Sequence, residues 1–252
     1  MSIQDSKISI NPFSKKEYLL PNKLDDKEKI DKFLKNHKEK KVIVVQGLGS
    51  VGAVMSTVCA NSITEDYAVI GVDLADEGNY WKIQSINEGI FPIAAEDKKI
   101  EAYFRQAINK NNLYATYDQY AYSQADIVIV DINLDVQINY ARKREILNYD
   151  VDISSFKNAI KSIAENCRED VLVLVETTVP PGVCEQVIYP ILKEGLQKRG
   201  LSLDKFKLGH SPERVMPGPD YIDSIQNFFR VYSGINKESA DATENFLHTI
   251  IN

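Results

Sequence analysis

From Lys41 onward the chain alternates short apolar runs with longer stretches at helical spacing. "KVIVVQ" (41–46) is a compact β-branched run, "SVGAVMSTVCANS" (50–62) follows as a helix, and "YAVIGVDL" (67–74) reads as a second strand. Helices are expected over about 78–88 and 95–110, then a short strand at "NLYAT" (112–116) and a buried one at "ADIVIVDI" (125–132). A helix through "DISSFKNAIKSIAENC" (152–167) leads to a strand at "DVLVLVETT" (170–178). Another helix is expected over about 182–198, a strand at "KFKLGH" (205–210), and a last strand at "FFRVYSG" (228–234). Continuous Val/Ile runs, rather than strict alternation, imply strands covered on both faces. Strands alternating with helices then predict an α/β fold with a doubly wound, mostly parallel, Rossmann-like sheet over 41–252. Residues 1–40 are polar and lysine-rich, and Ile30, Phe33 and Leu34 fall at helical spacing. They read as an N-terminal extension with a short amphipathic helix leaning on the main domain.

Composition narrows the function class. Acidic residues outnumber Lys and Arg, 36 to 30, for a net charge of −6. Such a chain lacks the positive field of a nonspecific nucleic-acid binder, and the run Arg142-Lys143-Arg144 reads as a solvated loop. The three cysteines, Cys59, Cys167 and Cys184, have no metal-like spacing, so no metal site is expected. A reduced, cytoplasmic setting is the expectation, with no membrane association, since no apolar run approaches spanning length.

"GLGSVG" places Gly47, Gly49 and Gly52 in G-x-G-x-x-G register directly after a predicted strand and at the start of a predicted helix. Gly47 permits the tight turn, Gly49 lets a pyrophosphate approach the backbone, and Gly52 lets helix and strand pack closely. The helix N-terminus supplies unpaired N–H groups, so Leu48, Ser50 and Val51 join the three glycines as cofactor-binding candidates. Asp73 ends the second strand, where a carboxylate can take both ribose hydroxyls and repel a 2′-phosphate. NAD is therefore the expected cofactor. Ligands of such sheets collect at the carboxyl ends of strands, where "VDINLD", "VETTVPPG" and "GHSPERVMPG" all lie. Thr178 could cap the turn before the next helix, and His210 reads as a structural hydrogen-bonding residue.

Taken together, "VIVVQGLGSVG", "GVDL", "INEGIFPI" (86–93), "ETTVPPGV" (176–183) and "SPERVMPG" (211–218) resemble the UDP-glucose/GDP-mannose dehydrogenase family. The resemblance covers about 41–252, the family's N-terminal NAD-binding domain, and "TTVPPG" followed by "SPER" is its specific part. Pro217-Gly218 is closer to the branch acting on UDP-N-acetylhexosamines. The resemblance implies oxidation of a UDP-sugar's C6 alcohol to a carboxylate with two NAD⁺, by way of a cysteine thiohemiacetal and thioester. By matching motif, Thr178 is similar to the threonine that holds an active-site water near the cofactor. Glu213 matches the glutamate beside substrate and nicotinamide, where a carboxylate can accept a proton or position water. Thr178 and Glu213 are thus the catalytic candidates. Asn133, in the loop after the 125–132 strand, and Thr178 are further cofactor-binding candidates, and Arg214 is expected to pair locally.

Several positions depart from the family pattern. Its Val-Pro-Thr-Pro is here "INLD" (132–135), losing the threonine that helps hold the cofactor, and Asp131 precedes it. The loop after Asp73 is longer and adds Asp76 and Glu77 near the adenosine side. The Gly-Gly-x-Cys nucleophile segment is absent from these 252 residues, as are the central helical and C-terminal substrate domains. The family homodimer is built around that central helix. Cys59 and Cys167 read as packing; Cys184, near a helix start, reads so too.

Three readings follow. One is the NAD-binding part of a nucleotide-sugar 6-dehydrogenase, inactive alone. Another is a non-catalytic NAD module acting with a partner chain. The third, a β-hydroxyacid-type dehydrogenase, is disfavoured by the "TTVPPG" and "SPER" pair.

Overall fold

The computed structural model describes residues 7–140, 146–213 and 218–252. The chain opens with a small antiparallel hairpin, β1 (Ile8–Ile10) and β2 (Glu17–Leu19), followed by α1 (Lys27–Lys35). Ile30 and Phe33 of α1 are buried, and Phe33 stacks on Tyr114 with ring centroids 5.6 Å apart. Beside them Asp26 is buried and accepts hydrogen bonds from Tyr114 Oη (2.6 Å) and Thr116 Oγ1 (2.8 Å). The extension is therefore tied into the core by both apolar and polar contacts.

The main unit follows the predicted alternation. β3 (Lys41–Gln46), α2 (Gly52–Ala60), β4 (Tyr67–Val72), α3 (Tyr80–Asn87), α4 (Lys98–Asn109) and β5 (Leu113–Thr116) form its first half. After a 3-10 turn at Gln119–Gln124 comes β6 (Ile127–Val130). An antiparallel pair, β7 (Asp135–Tyr140) and β8 (Ile146–Asp152), then forms a sheet of its own. The second half contains α5 (Ser154–Asn166), β9 (Leu172–Val175), a π-helical turn at Cys184–Ile188, α6 (Tyr189–Lys198) and β10 (Lys207–His210). α7 (Tyr221–Asn227), β11 (Ser233–Gly234) and α8 (Lys237–Ile250) close the chain.

The seven-stranded sheet runs β11-β10-β9-β6-β3-β4-β5, all parallel except β11. Alternate residues of the buried strands feed two cores. Ile43 and Val45 face α2, α4 and α8, while Val42 and Val44 face α1, α5 and α6. This is the doubly wound, Rossmann-like arrangement that the periodicity predicts. Strand order reverses between β3 and β6, so a crevice opens at their carboxyl ends.

Two local features differ from expectation. "FFRVYSG" pairs only at Ser233–Gly234, because Arg230 turns inward to an ionic cluster; Phe229 is left 97 % exposed. The β1–β2 and β7–β8 hairpins and the seven-residue α7 were not expected. Pro180 and Pro181 stand just before the helical turn that begins at Cys184, and Pro190 occupies the first turn of α6. No helix among the described residues is long and apolar enough to cross a membrane.

Candidate functional site

The crevice is a cleft of about 760 Å³. Its wall brings together Gly49, Ser50 and Val51, Asn133 of the loop after β6, Thr178 after β9, and Glu213 after β10. Asp131 and Glu176 also line it, as does Thr177. Segments separated by more than a hundred residues thus converge because the parallel strands end on one side of the sheet.

The glycine turn shows why each glycine is needed. Gly47 has φ +96°, and a Cβ there would lie 2.4 Å from the Asp131 carbonyl oxygen. At Gly52 a Cβ would lie 1.9 Å from the Gly47 carbonyl oxygen, so helix and strand approach closer than any side chain permits. At Gly49 an added Cβ meets nothing within 4 Å. That position faces the open cleft, at the positive end of the α2 dipole. Leu48 points the other way: its side chain is buried against Gly71, and its N–H donates to Asp73 Oδ2 at 3.1 Å. Tyr221 Oη of α7 donates to the Ser50 carbonyl at 3.1 Å and steadies the turn from the far side.

Asp73 sits at the end of β4, beside the cleft rather than in its wall, and is linked to the turn by the Leu48 N–H. Its carboxylate also accepts from Leu74 N–H (2.8 Å) and from Lys82 Nζ (2.7 Å), both side chains of the ion pair being largely buried. Sequence reading missed Lys82, although it stands nine residues on in a predicted helix. The nearby Asp76 carboxylate accepts from the Gly78 and Asn79 N–H groups in the turn before α3, and Glu77 lies 3.8 Å from exposed Lys7.

The loop after β6 is latched to the end of β9. Ile132 N–H donates to Thr177 Oγ1 at 2.9 Å, and that hydroxyl lies 2.9 Å from the Ile132 carbonyl and 3.1 Å from that of Val130. Thr177 therefore shapes the cleft, leaving Thr178 exposed at its rim. His210 is bonded through Nδ1 to the Val175 carbonyl at 2.8 Å, a structural link between β10 and β9.

Beneath the rim lies a buried ionic cluster. Arg230, its side chain 3 % exposed, donates to Glu176 at 2.7 Å and to Glu213 at 2.5 Å. Asp131 faces the same group. Three acids share one guanidinium. Burial pushes the Asp131 carboxyl up to about 8, helped by Glu213 and opposed by Arg230. Burial also raises Glu176, with Arg230 opposing. Arg230 carries no motif, so only the folded chain reveals it. Arg214 and Pro217 lie outside the described residues, as do Arg142, Lys143 and Arg144.

None of the cysteines is activated. Burial raises all three thiols, Cys167 and Cys184 to about 11 each. No cluster of metal-ligating side chains occurs among the described residues.

With this geometry in place, the family match is decisive. Residues 41–251 match the family model described as the UDP-glucose/GDP-mannose dehydrogenase family, NAD binding domain. The chain belongs to the UDP-glucose/GDP-mannose dehydrogenase family. UDP-N-acetyl-D-mannosamine dehydrogenase of Methanococcus vannielii is 29 % identical over 219 residues, 86 % of this chain and 44 % of the relative. The enzyme of the same name from Pyrococcus horikoshii is 26 % identical over 209 residues, 83 % of this chain and 44 % of the relative. The crystal structure of NDP-N-acetyl-D-galactosaminuronic acid dehydrogenase from Methanosarcina mazei Go1 superposes with a TM-score of 0.73 at 25 % identity. That match covers 89 % of this chain and 45 % of the other. This UDP-glucose/GDP-mannose dehydrogenase family member thus spans a little under half the length of the relatives it matches. NAD is the cofactor of the matched domain. The residues present fit a dinucleotide: a wide cleft, an open glycine facing it, a helix N-terminus behind, and an acid at the neighbouring strand end.

Proposed function

We propose that this chain is the NAD-binding part of a nucleotide-sugar 6-dehydrogenase that oxidises a UDP-N-acetylhexosamine, and that it does not turn over alone. The observation that carries the reading is the convergence of Gly49, Asn133, Thr178 and Glu213 on one cleft beside Asp73. NAD, when bound, supplies the hydride acceptor. The chain's own residues then divide the work as follows. Gly49, Ser50 and Val51 hold the pyrophosphate against the start of α2, with Gly47 and Gly52 setting the turn. Asp73 takes the ribose hydroxyls, and Lys82 holds that carboxylate in place and offers them a donor. Asn133 and Thr178 border the reacting end, where the Thr178 hydroxyl can both donate to and accept from a water. Glu213, oriented by Arg230, is the carboxylate next to the reacting carbon.

A thiolate is the missing part. The 252 residues hold no Gly-Gly-x-Cys segment, and all three thiols are raised rather than lowered. The covalent aldehyde step therefore needs a nucleophile from elsewhere, whether in the same polypeptide or a partner chain. A non-catalytic module that acts with a partner is the second reading, and these inert thiols are what favours it.

A paired assay tests the proposal. Saturating NAD⁺ is expected to raise the melting temperature of this chain, since a ligand bound only by the native state stabilises it by about 2.7 kcal/mol at a hundredfold excess over Kd. The same protein given NAD⁺ and UDP-N-acetylmannosamine is expected to form no NADH. Turnover by this chain alone would overturn the missing-nucleophile argument, and an unmoved melting temperature would remove its cofactor half.

A further inference from the structure

Asp131 stands where the family resemblance gives no acid, and neither the glycine turn nor the Thr178–Glu213 wall needs one. It follows β6 directly, and its N–H donates to the Gln46 carbonyl at 2.9 Å, so its backbone is fixed in the sheet. Its Cβ lies under the first turn of α2, 3.2 Å from where a Cβ on Gly52 would be. The residue is 9 % exposed, and among the described residues neither carboxyl oxygen has a hydrogen-bond partner. It nevertheless forms part of the cleft wall beside Gly49, Ser50 and Val51.

Among the described residues no cation bonds it, and Arg230 attracts its charge only from beyond hydrogen-bond reach. Glu176 faces it from the end of β9, and Glu213 from the segment after β10. Arg230, after α7, opposes the shift but spends its two terminal nitrogens on those glutamates and does not bond Asp131. Among the described residues, the Tyr221 hydroxyl of α7 and the Cys59 thiol of α2 are the remaining titratable groups that feel its charge, and burial raises both. An ionised carboxylate with no partner in such a place is costly, so the group keeps its proton. A protonated carboxyl is a hydrogen-bond donor.

We propose that Asp131, as a neutral carboxylic acid, donates a hydrogen bond to a phosphate or ribose oxygen of the bound dinucleotide, making cofactor binding dependent on its proton. The proposal rests on the NAD reading above. An O–H donor to an anionic oxygen makes a short, charge-assisted bond, and the ionised form would instead set like charges together in a low-dielectric wall. The sign is fixed by linkage: the complex needs the proton, so affinity is full below the point where free Asp131 titrates and falls above it.

Direct titration of the full chain with NAD⁺ at about pH 6.5 and about pH 9.5 tests this, with urea unfolding at both values to confirm folded protein. For the wild type, Kd is expected to rise at least about tenfold between them, given an Asp131 carboxyl pushed up to about 8. Asp131→Asn keeps a donor and has no charge to gain, so its Kd should stay within about twofold of the acidic wild-type value at both pH values. Asp131→Ala should be weaker by about tenfold and equally flat. A wild-type Kd that does not change with pH, or an Asp131→Asn profile that rises as the wild type does, would overturn the proposal while leaving the NAD reading intact. Absence of NAD⁺ binding by the folded wild type at either pH overturns both.

Discussion

Arg230→Ala is expected to lower the unfolding free energy by about 3–5 kcal/mol, the cost of stranding buried charge when one partner of an ion pair is removed. Its guanidinium bridges Glu176 and Glu213, whose side chains are 0 % and 7 % exposed, and Asp131 stands close behind. Without it, three acids face one another in a buried wall. They must either take up protons or draw in water, and both weaken the native state. Urea unfolding at neutral pH measures the loss. Adding Glu176→Gln and Glu213→Gln should recover much of it, because the same side-chain volume then carries no charge. A loss of less than about 1 kcal/mol, the range of exposed pairs, would mean that the cluster is solvated and that Arg230 does not organise the cleft.

The three glycines of the turn should separate stability from binding. Gly52→Ala forces a Cβ to within 1.9 Å of the Gly47 carbonyl oxygen, and Gly47→Ala adds a clash with the Asp131 carbonyl to an unfavourable φ of +96°. Both obstacles are buried backbone at the strand ends, and each variant is expected to lose about 3 kcal/mol or more. Gly49→Ala meets only open space, so its stability should stay within about 0.5 kcal/mol of the wild type. Its methyl group would occupy the ground over which the pyrophosphate must approach. NAD⁺ affinity should therefore fall by about tenfold or more, equivalent to about 1.4 kcal/mol. Denaturant midpoints and NAD⁺ titrations on the three variants check the contrast. Wild-type affinity in Gly49→Ala would place the pyrophosphate elsewhere.

Much of this cleft is legible in the sequence because it is built locally. The strand, glycine turn and helix of 41–60 are contiguous, and so is the run from "VLVLV" to "TTVPPG". Each brings its residue to a strand end by short-range rules of periodicity and turn chemistry. Arg230 is different. "FFRVY" has the composition of a strand, yet the pull of Glu176 and Glu213, 54 and 17 residues earlier, takes the arginine inward and breaks the pairing before Ser233. Lys82 likewise earns meaning only beside Asp73, and Thr177 only once β6 and β9 are neighbours. The β1–β2 hairpin escapes notice because its three-residue strands are too short to show a period. Its value lies in tertiary contacts: Ser9 Oγ accepts from the Trp81 N–H at 3.0 Å and donates to the Glu77 carbonyl at 2.8 Å, bracing the loop that follows Asp73.

We propose that the cleft at the ends of β3, β6, β9 and β10 is a dinucleotide site that favours NAD. Isothermal titration of the folded chain with NAD⁺ and with NADP⁺ tests it most directly. The account predicts saturable binding of NAD⁺ at one site per chain, with NADP⁺ weaker by about tenfold or more because Asp73 repels the 2′-phosphate, and a narrower gap in Asp73→Ala. Folded protein that shows no saturable heat with either nucleotide would contradict it.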